Sequence, residues 1–183
     1  TYDPKDIERM EYKYNEVARK CGINVPDYKL LDGKYFASKR FDIENGKRLH
    51  IATAGALLNE SISNPKLDYK VLLHLTGYLT QDSQQVDEMF QRMVFNVLTD
   101  NKDDHVKNFS FICREGKWSL APAYDLTLCK EGYHGEHATS ANNKGNPDIE
   151  DMLAVGESIR IPRRKGMEII NHMLKHCQEI LST

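Results

Sequence analysis

The stretch TDNKDDHVKNFSF, residues 99–111, poses the problem whose solution decides the fold. Five polar or charged residues run from Asp100 to Asp104, His105, Lys107 and Asn108 follow, and an apolar alternation then begins abruptly. Three carboxylates in five positions repel one another, which destabilises the fold unless a cation or a set of hydrogen-bond donors offsets them. A surface turn is the simplest account, because Asp and Asn favour turns and helix ends through side-chain to backbone hydrogen bonds. The flanking sequence argues for more than a turn.

Upstream, SQQVDEMFQRMVFNVLT, near 83–99, places Val86, Met89, Phe90, Met93, Val94 and Val97 at spacings of three and four, the pattern of a core helix. Downstream, NFSFICREGKWSLAPAYDL shifts to period two. Phe109 and Phe111 alternate with Ser110 and Ile112, REGK supplies a turn, and Trp118 and Leu120 resume a strand, so a hairpin is expected. The acidic stretch is therefore the exit of a buried helix into a hairpin whose far strand ends at AYDL, which lets Asp125 return towards Asn108. Oxygen ligands from Asp and Asn suit a hard cation such as Mg²⁺, which takes only one or two protein carboxylates and leaves other positions to substrate phosphates.

That division matches phosphoryl transfer. An Asp five residues before an Asn orients the attacking hydroxyl, the Asn holds metal, and a second Asp beyond it holds metal as well. Asp103 and Asn108 have this spacing, and Lys107 brings positive charge to where a transferring phosphate needs it. Asp100 and Asp104 lack the spacing, so either should be replaceable by Asn with less harm to phosphotransfer than Asp103.

Composition sets the frame. The 183 residues are long enough for one domain with a real core, and 40% hydrophobic with 28% charged residues is an ordinary globular balance. Lys plus Arg is 25 against 27 for Asp plus Glu, so no net field draws the chain onto nucleic acid or anionic lipid, and direct nucleic-acid binding is not expected. Cys21, Cys113, Cys129 and Cys177 are scattered without a CxxC pair and read as buried free thiols. No apolar run approaches the roughly 20 residues that span a bilayer, and no signal peptide is evident, so a cytoplasmic location is expected. The chain starts without Met and directly in a capped helix, as an excised piece or processed product would.

In DPKDIERMEYKYNEVARKCG, Asp3 serves as N-cap, Pro4 as first helical residue and Gly22 as terminator, with Ile7, Met10, Tyr14, Val17 and Ala18 as the apolar stripe. Two strands near 27–32 and 34–41 turn at Asp32 and Gly33. After a polar loop, HIATAGALLNE suggests a short helix. LDYKVLLHLTGYLT, near 67–80, is a stronger helix, residues 131–148 read as loop, and helices resume at DIEDMLAVG and GMEIINHMLKHCQEIL.

At FNVLTDNKDDHVKNFSFI and WSLAPAYDLTL the chain resembles the catalytic core of the HipA-like Ser/Thr protein kinases, toxins of bacterial toxin–antitoxin systems. EYKYNEVARKCGINVPDYKLL and KRFDIENGKRLH are similar to that family's helix and hinge segments, and HATSANNKGN with the final helices extends the resemblance over nearly all of the chain. It implies an α+β fold: a mainly helical, kinase-like C-terminal lobe with a small N-terminal helix plus β-hairpin, and a catalytic β-hairpin. Residues 1–45 would be the remnant of the N-lobe, with helix, hairpin and hinge, and residues 46–183 the helical C-lobe. The resemblance implies transfer of the ATP γ-phosphate to a protein Ser or Thr, with ATP and Mg²⁺ as cofactors, a protein substrate, and a DNA-binding antitoxin protein as partner.

Residue by residue, Asp103 matches the catalytic aspartate, and Asn108 and Asp125 match the metal ligands. His105, Val106, Lys107 and Asn108, with Tyr124 and Asp125, match nucleotide-binding positions, and Lys39, Arg40 and Phe41 match the hinge beside adenine. Lys39 stands where the family usually has Glu, and Asp104 where Gly is common in some members. Glu11 falls where the family's helix has a glutamate. The family's phosphate-binding loop and ATP-anchoring lysine lie before the first helix and are not supplied by the residues ahead of Asp3. The expectation is that residues 1–183 fold but show no kinase turnover by themselves. A catalytically silent module of the same fold that contacts an antitoxin-like regulator, and a small-molecule kinase of related architecture, are the rival readings.

Three other motifs are weaker. His172 and His176 in HMLKH share a helix face without a third ligand, and HGEH, residues 134–137, places Glu136 between two histidines. RIPRRK, residues 160–165, reads as a solvated turn before a helix, and Trp118 as a hairpin core residue.

Overall fold

A computed structural model describes residues 6–61 and 67–181. The expected cap and first helical residue, Asp3 and Pro4, lie outside the described residues. The first helix, α1 (Ile7–Lys20), ends at Cys21 and Gly22 and buries Tyr14, Val17 and Ala18, three members of the expected stripe. β1 (Tyr28–Leu31) and β2 (Tyr35–Ser38) form an antiparallel hairpin packed on α1, with Asp32 and Gly33 at positive φ in the turn as the DG pair demands.

The polar loop that follows contains a second, minimal hairpin, β3 (Ile43–Glu44) and β4 (Lys47–Arg48). Beyond it the sequence reading needs correction. HIATAGALLNE is not one helix: His50–Thr53 is a strand, β5, and only Ala54–Leu58 is helical, α2. β5 pairs antiparallel with β6 (Ser110–Arg114), from Thr53 opposite Ser110 to His50 opposite Cys113. The partner strand comes from nearly 60 residues away along the chain, so local periodicity carries no trace of it. β7 (Lys117–Leu120) completes a three-stranded sheet in the order β5, β6, β7, and Trp118 packs edge-on against His50.

α3 (Tyr69–Thr80) and α4 (Ser83–Leu98) are capped by Asp68 and Asp82, whose carboxylates accept the amides of Lys70 and Gln84. Each such cap stabilises its helix by about 1 kcal/mol. α4 is the central element. Its Met89, Phe90, Met93, Val94 and Phe95 are buried, and it packs against α3, α5 (Ile149–Ser158) and α6 (Arg163–Leu181). α1 in turn packs on α6, so one hydrophobic core runs from Tyr14 through α4 to Cys177 and is continuous across residue 45. Residues 131–148 contain neither helix nor strand, only isolated bridges. No helix among the described residues is long and apolar enough to cross a membrane. All four cysteines are free; Cys21 and Cys177 are buried, whereas Cys113 and Cys129 are half-buried.

Candidate active site

α4 ends at Thr99, whose hydroxyl bonds back to the Phe95 carbonyl at 2.8 Å and whose own carbonyl accepts the Tyr14 hydroxyl at 2.5 Å. Asp100 then takes a left-handed backbone, with φ 53°, and turns the chain out of the helix. Residues 100–102 run beside Cys129: the Cys129 amide donates to the Asp100 carbonyl at 3.0 Å, and the Lys102 amide to the Cys129 carbonyl at 3.1 Å. The start of the loop is thus held by Cys129, and its far end by the Gly55 and Ala54 amides, which donate to the Val106 and Phe109 carbonyls at 3.0 and 2.7 Å.

On this loop the Asn108 side-chain nitrogen donates to the Asp103 carbonyl at 2.9 Å, which leaves the amide oxygen as the group able to meet a cation. Asn108 and Asp125 line one cavity together with Asp104, Tyr124 and Arg92, whereas Asp103 is not part of its lining. Asp125 holds φ 58°, an uncommon conformation for a residue other than Gly, of the kind that collects at functional sites. Asp103 is 54% exposed. Partial burial raises its carboxyl pKa above the ordinary value, His105 opposes that rise, and the charges of Asp125 and Asp104 add to it. Glu11 of α1 is also raised, by burial first, then by Asp125 and Glu8. Acids from α1, the loop and the segment after β7 therefore share one field, and a cation placed among them would relieve it.

The other expected site residues divide. Phe41 lies against Tyr124, ring centroids 5.4 Å apart, and the Tyr124 hydroxyl bonds the Lys107 carbonyl and lies 2.6 Å from Ser110 Oγ. Hinge and loop therefore meet at this tyrosine. Lys39 and Arg40 line a different, neighbouring pocket with Phe41, and their charges face Asp27 and Asp42. His105 Nε2 is 3.9 Å from Asp103, and its buried Nδ1 has no hydrogen-bond partner. Lys107 is exposed, while the Val106 side chain is buried in the core and its carbonyl accepts the Gly55 amide at 3.0 Å. Only backbone at Val106 could face a ligand.

Asp104 has a structural role that its spacing did not suggest. It is no spare acid: its side chain is 0% exposed, and it accepts the Tyr69 hydroxyl at 2.7 Å, lies 2.9 Å from His137 Nδ1, and accepts the Thr139 amide at 3.2 Å. Tyr69 accepts from Asn96 at 2.9 Å, and Asn96 accepts from Asn101 at 2.9 Å. The crowding of acids is thus resolved by donors at Asp104 rather than by a cation there. Sequence reading missed this set because its members lie up to 70 positions apart; the only local signal was a run of His, Thr and Asn in an otherwise featureless loop.

The family model for the HipA-like C-terminal domain matches residues 2–181. The chain belongs to the HipA-like C-terminal domain family. Among curated relatives of this HipA-like chain is "Putative kinase Y4dM" of Sinorhizobium fredii (strain NBRC 101917 / NGR234), 28% identical over 154 residues, covering 74% of this chain and 37% of that protein. Among solved structures, a chain of the Shewanella oneidensis MR-1 toxin–antitoxin system HipA, HipB and its operator DNA complex superposes with a TM-score of 0.80 at 20% identity, covering 98% of this chain and 50% of that one. The Helicobacter pylori proinflammatory kinase CtkA superposes with a TM-score of 0.57 at 13% identity, covering 100% of this chain and 86% of that one. The last two likenesses speak for the fold, a mixed α+β architecture of kinase type. The HipA-like chain spans about a third of Y4dM and half of the matched Shewanella chain.

Within the HipA-like fold, Asn108 and Asp125 offer the sparse oxygen set that suits Mg²⁺ when phosphates and water complete the shell. The histidine motifs do not compete. His137 is spent on Asp104, His134 packs edge-on against Tyr133, centroids 4.5 Å apart, and His172 edge-on against His176 at 4.8 Å, and no cluster of three or more His, Cys, Asp or Glu residues placed to hold a metal occurs among the described residues. Three cations of the basic run lie in the first turn of α6 and are paired locally: Arg163 faces Glu150 and Glu157, Arg164 faces Glu168, and Lys165 faces Asp87.

Proposed function

We propose that this chain is the catalytic part of a HipA-like Ser/Thr protein kinase that binds Mg²⁺-ATP in the cleft of Asp103, Asn108 and Asp125. The observation that carries this reading is the meeting of Asn108, Tyr124 and Asp125 on one cavity, with Asp103 inside the Asp125 field and Phe41 stacked on Tyr124. Asn108 and Asp125 would hold Mg²⁺, which neutralises phosphate charge when bound. Adenine would lie towards Lys39, Arg40 and Phe41, and His105, Val106 and Lys107 would border the phosphates. Asp103 accepts the proton of a substrate Ser or Thr hydroxyl as that oxygen bonds to the γ-phosphorus and the bond to ADP breaks. A raised carboxyl pKa suits a group that must take a proton. Residues 1–45 would be the remnant of the small lobe, and a DNA-binding antitoxin a partner of the whole protein.

Among the described residues Lys107 is an exposed cation of the loop, and Arg92, which lines the cavity, is already paired with Glu88, so metal must meet most of the phosphate charge. Positioning and electrostatic stabilisation supply most of the catalysis of phosphoryl transfer. These residues alone should therefore bind Mg²⁺-ATP weakly and show no measurable turnover. Calorimetry with Mg²⁺-ATP on wild type, Asp125→Asn and Asp103→Asn tests this: binding should need Mg²⁺ and Asp125 and survive Asp103→Asn. Binding that ignores both Mg²⁺ and Asp125 would refute the site. Robust labelling of a protein by residues 1–183, lost in Asp103→Asn, would refute the inactivity.

A further inference from the structure

Asp103 sits between two residues anchored to the same segment, the one that follows Asp125. On one side the Lys102 ammonium donates to the Gly135 carbonyl at 2.9 Å and to Asn146 Oδ1 at 3.0 Å, and the Lys102 carbonyl accepts the Ala138 amide at 3.1 Å. On the other, Asp104 is gripped by His137 and Thr139, and the Thr139 hydroxyl donates to the Asp104 carbonyl at 2.5 Å. Residues 102–104 lie outside any helix, and the Asp103 side chain is 54% exposed whereas that of Asp104 is buried, so the two adjacent carboxylates face different surroundings. With Asp104 held inwards, Asp103 is held outwards.

The segment is built for this contact. At Gly132, φ +43°, an added Cβ would stand 2.2 Å from the Glu136 carbonyl and 2.5 Å from Lys102 Cβ, and at Gly145 it would stand 2.3 Å from a Glu136 carboxylate oxygen. Both approaches exclude any side chain. A buried carboxylate and imidazole are also a costly way to fill space, because apolar residues of the same volume would pack at lower desolvation cost. What a polar set adds is a single register, since every donor must find its acceptor. His137 is 3% exposed and, with Tyr69 and Asn96, ties α3, α4, the loop and the segment into one network.

We propose that Asp104, His137 and Thr139 are positioning residues that set the orientation of Asp103, so that residues 129–146 act as a pre-formed clamp on the catalytic loop. The inference rests on the reading of Asp103 as the catalytic aspartate.

The test joins hydrogen–deuterium exchange with phosphotransfer kinetics on wild type, His137→Ala, His137→Asn and Thr139→Val. Asn restores an N–H donor near the position of Nδ1. In His137→Ala, exchange over residues 100–108 should quicken about 10-fold or more while α4 and α6 keep their protection. His137→Asn should restore most of it, and Thr139→Val should show a smaller effect confined to the same residues. Where phosphotransfer is measurable, His137→Ala should lower kcat about 100-fold and leave KM for ATP within about 3-fold. Unchanged exchange over residues 100–108, equal quickening in every helix, or failure of His137→Asn to restore it would overturn the proposal. If the exchange pattern holds but wild type binds no Mg²⁺-ATP, the clamp stands and the kinase reading falls.

Discussion

Asp103 and Asp104 are adjacent in the chain and carry the same side chain, yet their surroundings are opposite. Asp103 is 54% exposed, faces the charge of Asp125, and its carboxylate meets no hydrogen-bond donor among the described residues, His105 Nε2 lying 3.9 Å away. Asp104 is 0% exposed and meets a hydroxyl, an imidazole and a backbone amide. The difference separates two uses of a carboxylate. A buried acid with both oxygens engaged fixes geometry, whereas a half-open acid among like charges stays chemically available at the expense of local stability. The chain places the two side by side, so that the first disciplines the second.

The sharpest way to break this contrast is to remove Asp104. Asp104→Ala leaves Tyr69, His137 and Thr139 as buried donors without an acceptor, and truncating one partner of a buried, paired charge costs about 3–5 kcal/mol. Urea unfolding should show a loss of that order, and a loss under about 1 kcal/mol would mean that the network relaxes and Asp104 resembles its neighbour after all. Next in size is Gly132→Ala. A methyl 2.2 Å from a carbonyl must push the segment away from Lys102, and overpacking of this kind costs about 1–3 kcal/mol. Thermal unfolding should show it, with the greatest gain in exchange at Lys102 and Ala138. A neutral outcome would show that the segment can shift without disturbing the loop.

Much of this was legible in the chain. The periodicity of Met89, Phe90, Met93 and Val94 placed α4 in the core, the alternation from Phe109 to Leu120 gave β6 and β7, and DG marked the first hairpin turn, because each signal is local. The spacing from Asp103 to Asn108 and the return of AYDL pointed to Asp103, Asn108 and Asp125 in one cleft; Asn108 and Asp125 do line one cavity, with Asp104 rather than Asp103 beside them. Two things were not legible, for one reason. β5 is a strand only because β6 lies beside it, and Asp104 is structural only because Tyr69 and His137 reach it from 35 and 33 residues away. Local pattern had to assign His50–Thr53 to a helix and Asp104 to a surplus of charge. Long-range pairing overrode both.

The smallest effect, and the one that separates the two aspartates most cleanly, belongs to Asp103→Asn. Partial burial, with Asp125 and Asp104, raises the Asp103 pKa in the fold above its ordinary value, and His105 offsets part of this. A carboxyl with a raised folded-state pKa favours the fold when protonated; that contribution is complete below the unfolded pKa of about 3.9 and is lost as pH rises through the folded value. At neutral pH wild type therefore carries a repulsion that the amide removes. Asp103→Asn should melt slightly above wild type at pH 7, and the gap should close as pH falls below the ordinary carboxylate range. Mg²⁺ should narrow the gap at pH 7, because a cation beside Asn108 and Asp125 offsets the same repulsion in wild type alone. A variant that melts below wild type at pH 7, or a gap that widens towards acid, would place Asp103 with Asp104 as a structural acid and remove the contrast on which the site is built.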